Sequence, residues 1–152
     1  ELRPGVRTVA VTVEPTADQI RQIEEMGFDL VQIHGRLDLT TLEGSTIPVI
    51  RAVNAGSPDT AIHCGSERFY AHLFDAEVPG SGRSFDWSHL AAAKPDVGRL
   101  FLAGGLSPEN VAEAIRTLRP YAVDVSSGVE NEQGDAKSPE RAAAFIAAAR
   151  SV

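Results

Sequence analysis

The chain has 152 residues, 43% of them hydrophobic and 23% charged, with a net charge of −7. That length suits one domain with a real core, and the acidity (pI near 5.0) leaves no electrostatic footprint for nucleic acid or an anionic membrane. A single cysteine, Cys64, excludes an internal disulfide framework. With no apolar run of membrane-spanning length and no signal-peptide pattern in ELRPGVR, the expectation is a cytoplasmic protein.

In chain order, ELRPG reads as a helix tail entering a Pro-Gly turn. Residues 7–13 (RTVAVTV) are β-branched and apolar, which predicts a buried strand. Thr16 and Gln19 form a capping box that opens a helix, with Ile20, Ile23 and Met26 as its buried stripe and Gly27 as its stop. Residues 29–33 predict the next strand, ending at His34-Gly35. A short helix at 38–43 follows, then a strand at 47–53. Residues 54–67 read as loop. Residues 69–76 (FYAHLFDA) predict a strand ending at Asp75, followed by a loop (PGSGR) and a helix from 85 to 93 that carries Trp87 as a packing anchor.

Residues 100–103 predict a strand ending in Gly104-Gly105. Its helix has Ser107 as N-cap, Pro108 in the first position and Val111, Ile115 and Leu118 on one face, with Leu106 and Val111 as a hydrophobic staple. Residues 121–125 predict a last strand ending in Ser126-Ser127-Gly128. Ser138-Pro139 starts a closing helix that buries Ala142, Phe145, Ile146 and Ala149.

Strand and helix alternate throughout, and the strands are nearly continuously apolar. That pattern calls for a parallel sheet covered by helices. In a doubly wound sheet the glycine-rich phosphate turn follows the first strand, but here that strand ends in Glu14-Pro15. The small-residue turns follow the last two strands instead, which is where a (β/α)8 barrel holds phosphate. Glycine and serine turns let backbone N–H groups approach an anion. Only about six strand–helix units are countable, so the expected architecture is an incomplete TIM barrel lacking its first two units, organised as one domain over residues 1–152. An open sheet of this kind exposes strand edges, and a homodimer that covers the open side is expected.

His34, Asp75, Asp124 and the two turns all fall at the C-terminal ends of strands, where barrel enzymes keep their chemistry. His63, His72 and His89 have no ligand spacing with one another or with Cys64, so neither a metal nor another cofactor is expected. Arg83 and Lys137 are loop cations and are assigned no role.

At VQIHG (31–35), LFDA (73–76), GSGRSFDW (80–87), LAGGLSPENVAEAI (102–115) and VDVSSGVE (123–130), the chain resembles the phosphoribosylanthranilate isomerase family of tryptophan biosynthesis. The resemblance implies an Amadori rearrangement of a phosphosugar, N-(5-phosphoribosyl)anthranilate, which needs a general acid at the ring oxygen and a base at C2. By this resemblance Asp75 is the general acid, His34 and Asp124 face the substrate, and Gly104, Gly105, Ser126 and Gly128 bind phosphate. The family's base, a cysteine on its first strand, has no counterpart here, and Cys64 lacks that motif. A phosphosugar-binding or structural protein that oligomerises through the open side without catalysing is the alternative reading. A related barrel such as indole-glycerol-phosphate synthase would call for strand-end lysines, which are absent from these positions.

Overall fold

The computed structural model describes residues 5–54, 69–75 and 98–152. The expectations for residues 1–4, the 55–67 loop, the 80–87 motif and the 85–93 helix, and those for His63, Cys64, Arg83, Trp87 and His89, lie outside the described residues.

Six parallel strands pair in chain order: β1 (Val9–Val13), β2 (Leu30–His34), β3 (Val49–Asn54), β4 (Ala71–Asp75), β5 (Leu100–Ala103) and β6 (Ala122–Val123). Each strand's neighbours in the sheet are its neighbours in sequence, so the order never reverses as it does in a doubly wound sheet. The described helices are α1 (Ala17–Glu25), α2 (Val111–Leu118) and α3 (Pro139–Arg150), with single 3-10 turns at Leu39–Leu42 and Ser127–Val129.

Register sorts the side chains onto two faces. Pairing sets Val11 beside Gln32, Gln32 beside Ile50 and Ile50 beside Ala71. The inner face carries Leu30, Ile50, Ala52, Ala71, Leu73 and Ala103 as one buried cluster. The opposite face packs under the helices in two clusters, one around Ile20, Val31 and Ile33 and one around Phe74, Leu102, Val111 and Phe145.

The sheet is curled, and contacts across its interior show it. Below β1, Arg7 donates to the Tyr70 hydroxyl at 3.1 Å, reaching past β2 and β3 to the start of β4. The Arg99 guanidinium sits 4.6 Å over the Tyr70 ring and 5.4 Å over the Tyr121 ring, and Tyr121 stacks on Phe101 with centroids 5.9 Å apart. The N-terminal end of the curl is thus laced together by rings and guanidinium groups.

Among the described residues the curl does not close. β1 was expected to be buried, but Val9, Val11 and Val13 are 37%, 65% and 71% exposed. Among the described residues β1 is an edge strand with a neighbour on one side only, while Ala10 packs under α1.

The helix caps follow sequence chemistry. The Thr16 hydroxyl accepts the Gln19 N–H, the Gln19 side chain accepts the Thr16 N–H, and the helix ends before Gly27. Thr16→Ala is expected to cost about 1 kcal/mol in urea unfolding, and an unchanged midpoint would contradict it. Ser138 caps α3 with Pro139 in the first position.

Three local expectations are corrected. Met26 is 72% exposed because it lies at the C-cap of α1, beyond the last buried turn. Ile146 is 49% exposed because it lies a 100° step from buried Phe145; Ala142 and Ala149 complete the buried side instead. The helix after β5 does not start at Ser107. Its N-cap is Asn110, whose side chain donates to the Gly105 carbonyl and accepts the Ser107 N–H, both at 2.8 Å, and residues 107–110 form a turn that leads into the helix, with the Val111 N–H on the Ser107 carbonyl at 3.1 Å. Leu106 and Val111 share one buried cluster, but with Asn110 as N-cap Val111 is the first helical residue, so their contact is core packing rather than the expected N′–N4 staple.

Candidate active site

Strand alternation decides which side chains enter the interior. Asp75 is two residues beyond Leu73, an inner-face residue, and it pairs with Ala103 of the same cluster. His34 continues the inner series Leu30, Gln32 on β2. Asp124 follows Val123, which packs on the helix side, so Asp124 faces inward; its N–H bonds the Leu102 carbonyl at 2.8 Å, extending the β6 pairing by one residue. Three strands thus bring His34, Asp75 and Asp124 to the C-terminal mouth of the curl.

These groups act on one another. Burial holds the Asp75 carboxyl above the usual aspartate range, the Asp124 charge adds to that, and His34 opposes it. A carboxyl that keeps its proton longer than usual is suited to donate it. Gln32, not singled out from sequence, lies 2.9 Å from His34 Nε2 through its own Nε2.

The segment after His34 is fixed by Glu14. This residue has a left-handed backbone (φ 47°) and bonds its N–H to the His34 carbonyl at 3.0 Å. Its carboxylate accepts the Arg36 N–H at 3.0 Å, and its stem fills the space where a Cβ on Gly35 would sit, 2.6 Å from Glu14 Cγ. Arg51 donates to the carbonyls of Ile33 at 2.9 Å and Gly35 at 2.5 Å, tying the same corner to β3. Sequence reasoning missed Glu14 and Arg51 because both work through backbone partners chosen by strand pairing.

The two small-residue turns stand side by side at the same mouth. Gly104 and Gly105 have φ of 79° and 64°, a conformation that strains any side chain. Gly128 is needed for a different reason, which is space. A Cβ there would lie 1.8 Å from the Leu106 carbonyl oxygen and 3.2 Å from Ser107 Cα. The Ser126–Val129 turn therefore rests directly on the backbone that follows Gly104-Gly105.

Comparison with known proteins agrees with this geometry. The profile of the N-(5'phosphoribosyl)anthranilate (PRA) isomerase family matches residues 1–148. The N-(5'-phosphoribosyl)anthranilate isomerase of Geobacter sp. (strain M21) is 39% identical over 155 residues, covering 99% of this chain and 75% of the relative. The crystal structure of phosphoribosyl anthranilate isomerase from Thermotoga maritima superposes with a TM-score of 0.86 at 35% identity, over 99% of this chain and 76% of that one. A phosphoribosyl anthranilate isomerase in complex with reduced 1-(o-carboxyphenylamino)-1-deoxyribulose 5-phosphate superposes at a TM-score of 0.82 with 33% identity, covering all of this chain and 75% of that one. The chain thus spans about three quarters of the length of these relatives. With the family profile running over nearly its whole length and its strand-end residues gathered at one mouth, the chain belongs to the phosphoribosylanthranilate isomerase family of tryptophan biosynthesis.

Proposed function

We propose that this chain, as a single domain over residues 1–152, catalyses the Amadori rearrangement of N-(5-phosphoribosyl)anthranilate to 1-(2-carboxyphenylamino)-1-deoxyribulose 5-phosphate in the cytoplasm. The observation that carries the reading is Asp75, an inward carboxyl at the mouth of the curl with its proton affinity raised by burial. Protonation of the furanose ring oxygen by Asp75 lets the ring C–O bond break while the anilino nitrogen lone pair forms a C1=N bond. Loss of the C2 proton to water, the family's cysteine having no counterpart here, then gives the enol-amine, which tautomerises to the C2 ketone. His34 and Asp124 face the substrate beside Asp75. The Gly104-Gly105 turn and the turn with Ser126 and Gly128 grip its phosphate.

The test is rescue of a tryptophan auxotroph that lacks this isomerase, paired with a fluorescence assay of turnover on purified chain. Growth and turnover are the expected results. Soluble expression without either, while ribose 5-phosphate still binds, would favour the phosphosugar-binding reading over the enzyme.

We propose further that two copies associate through the open side of the sheet. The apolar inner face of β1, with Val11 and Val13 the most exposed of its residues, supports this reading. The expected mass in light scattering is that of a dimer, and Val11→Lys should shift it to monomer. A stable monomer for the unchanged chain would overturn the association.

A further inference from the structure

Two cations near the second turn have no part in the reading above, and both are spent on its backbone. The Lys137 ammonium donates to the Ser126 carbonyl at 3.0 Å, to the Ser126 hydroxyl oxygen at 3.2 Å and to a Glu130 carboxylate oxygen at 2.7 Å. The Arg141 guanidinium donates twice to the Gly128 carbonyl, from Nε at 3.2 Å and from Nη2 at 3.0 Å, and pairs with Glu109 at 3.4 Å. Arg141 sits in the first turn of α3, and Glu109 lies in the 107–110 turn after the Gly104-Gly105 pair. One guanidinium therefore links the Ser126–Val129 turn to the 107–110 turn that follows the Gly104-Gly105 pair.

A trans peptide points its carbonyl and its N–H in opposite directions. With the Ser126 carbonyl turned to Lys137, the Ser127 N–H points away from Lys137. The Ser127 carbonyl accepts the Glu130 N–H at 3.0 Å, so the Gly128 N–H points away from Glu130. Arg141 fixes the next peptide in the same manner, and the Val129 N–H closes back on the Ser126 carbonyl at 3.3 Å. Every carbonyl from 126 to 128 thus has a partner, two of them cationic. Such charge-assisted bonds are stronger than neutral ones and hold peptide planes against flipping. The Ser126 hydroxyl oxygen, already accepting from Lys137, keeps its own proton free to donate.

We infer that Lys137 and Arg141 are positioning residues for the phosphate grip: by binding the carbonyls of the Ser126–Val129 turn they aim its Ser127 and Gly128 N–H groups and seat it against the segment that follows the Gly104-Gly105 turn. The inference rests on the phosphate role given to these turns above. It assigns the two cations to the turn's own backbone.

The test uses the 152-residue chain with ribose 5-phosphate as probe, followed by the amide resonances of residues 104–129. In the unchanged chain the Ser127 and Gly128 resonances are expected to shift and saturate. Lys137→Met and Arg141→Met should each weaken binding about tenfold, with the loss persisting at 0.5 M salt, where a through-space attraction between charges is screened. Lys137→Arg, which keeps the charge and its donors, should restore most of the affinity. Should Arg141→Met not fold, Arg141→Lys is expected to fold and to bind about threefold more weakly, since an ammonium cannot reproduce the forked pair of bonds.

Each other outcome is decisive. Lower melting temperatures with unchanged affinity would make the two residues purely structural and overturn the inference. A loss that vanishes at 0.5 M salt would reduce them to long-range attraction, which also overturns it. If the unchanged chain binds no ribose 5-phosphate, the phosphate reading itself fails and takes this inference with it.

Discussion

Asp75→Asn is expected to lower turnover about 1,000-fold, the mid-range contribution of a positioned general acid, and to raise thermal stability at neutral pH. The two effects come from one cause. Burial makes the ionised carboxylate unfavourable in the folded chain, so its pKa there lies above the ordinary 3.8. For a carboxyl with a raised folded pKa, the folded state binds the proton more tightly than the unfolded state does. The contribution of this one carboxyl to stability is therefore fully present below pH 3.8 and is lost as pH rises through the folded pKa. Asparagine has no charge to desolvate. The melting temperatures of the two chains should coincide near pH 3 and diverge above pH 3.8, with the variant higher. The same pKa limits activity, since turnover by the unchanged chain should decline as pH rises past it. A gap independent of pH, or full activity in the variant, would remove Asp75 from the acid role.

Gly128→Ala is the second large effect. Its new methyl would meet the Leu106 carbonyl oxygen at 1.8 Å, and both partners are backbone, so no flexible side chain can move aside. The two turns must separate. Overpacking of this kind costs about 1–3 kcal/mol, measurable by urea unfolding. The larger consequence is for the ligand. A displacement of about 1 Å in a positioned site can cost about 100-fold, and a rise in KM of that order for the phosphorylated substrate is expected. Gly105→Ala provides the contrast. No atom lies within 4 Å of its would-be Cβ, so its cost arises from the φ of 64° alone. Equal affinity for ribose 5-phosphate in Gly128→Ala and the unchanged chain would show that the turns do not act together.

Local chemistry was legible wherever one short segment decides the outcome. Thr16 with Gln19, and Ser138 with Pro139, cap helices in place because their hydrogen bonds close within three residues. The same reasoning failed at Ser107. Its hydroxyl does accept the Glu109 N–H at 3.3 Å, yet with the Asn110 side chain bonded to Gly105 and Ser107 the regular helix begins only after Asn110. Met26 and Ile146 fit an apolar period but lie where none of the described elements covers them.

By itself the sequence determined the alternation of parallel strands and helices, the strand-end positions of His34, Asp75 and Asp124, and the two small-residue turns after the last strands. Those features follow from residue type and spacing over a few positions, which is the range of a cap, a turn or a strand period. Only the tertiary structure decided that β1 is an edge with Val11 and Val13 uncovered, that Gly128 is a matter of space rather than of backbone angle, and that Lys137 and Arg141 spend their charge on carbonyls. The reason is physical. An exposed strand face, a backbone-to-backbone approach and a cation bound to a carbonyl depend on which distant segments meet, and a carbonyl looks the same at every position in a sequence.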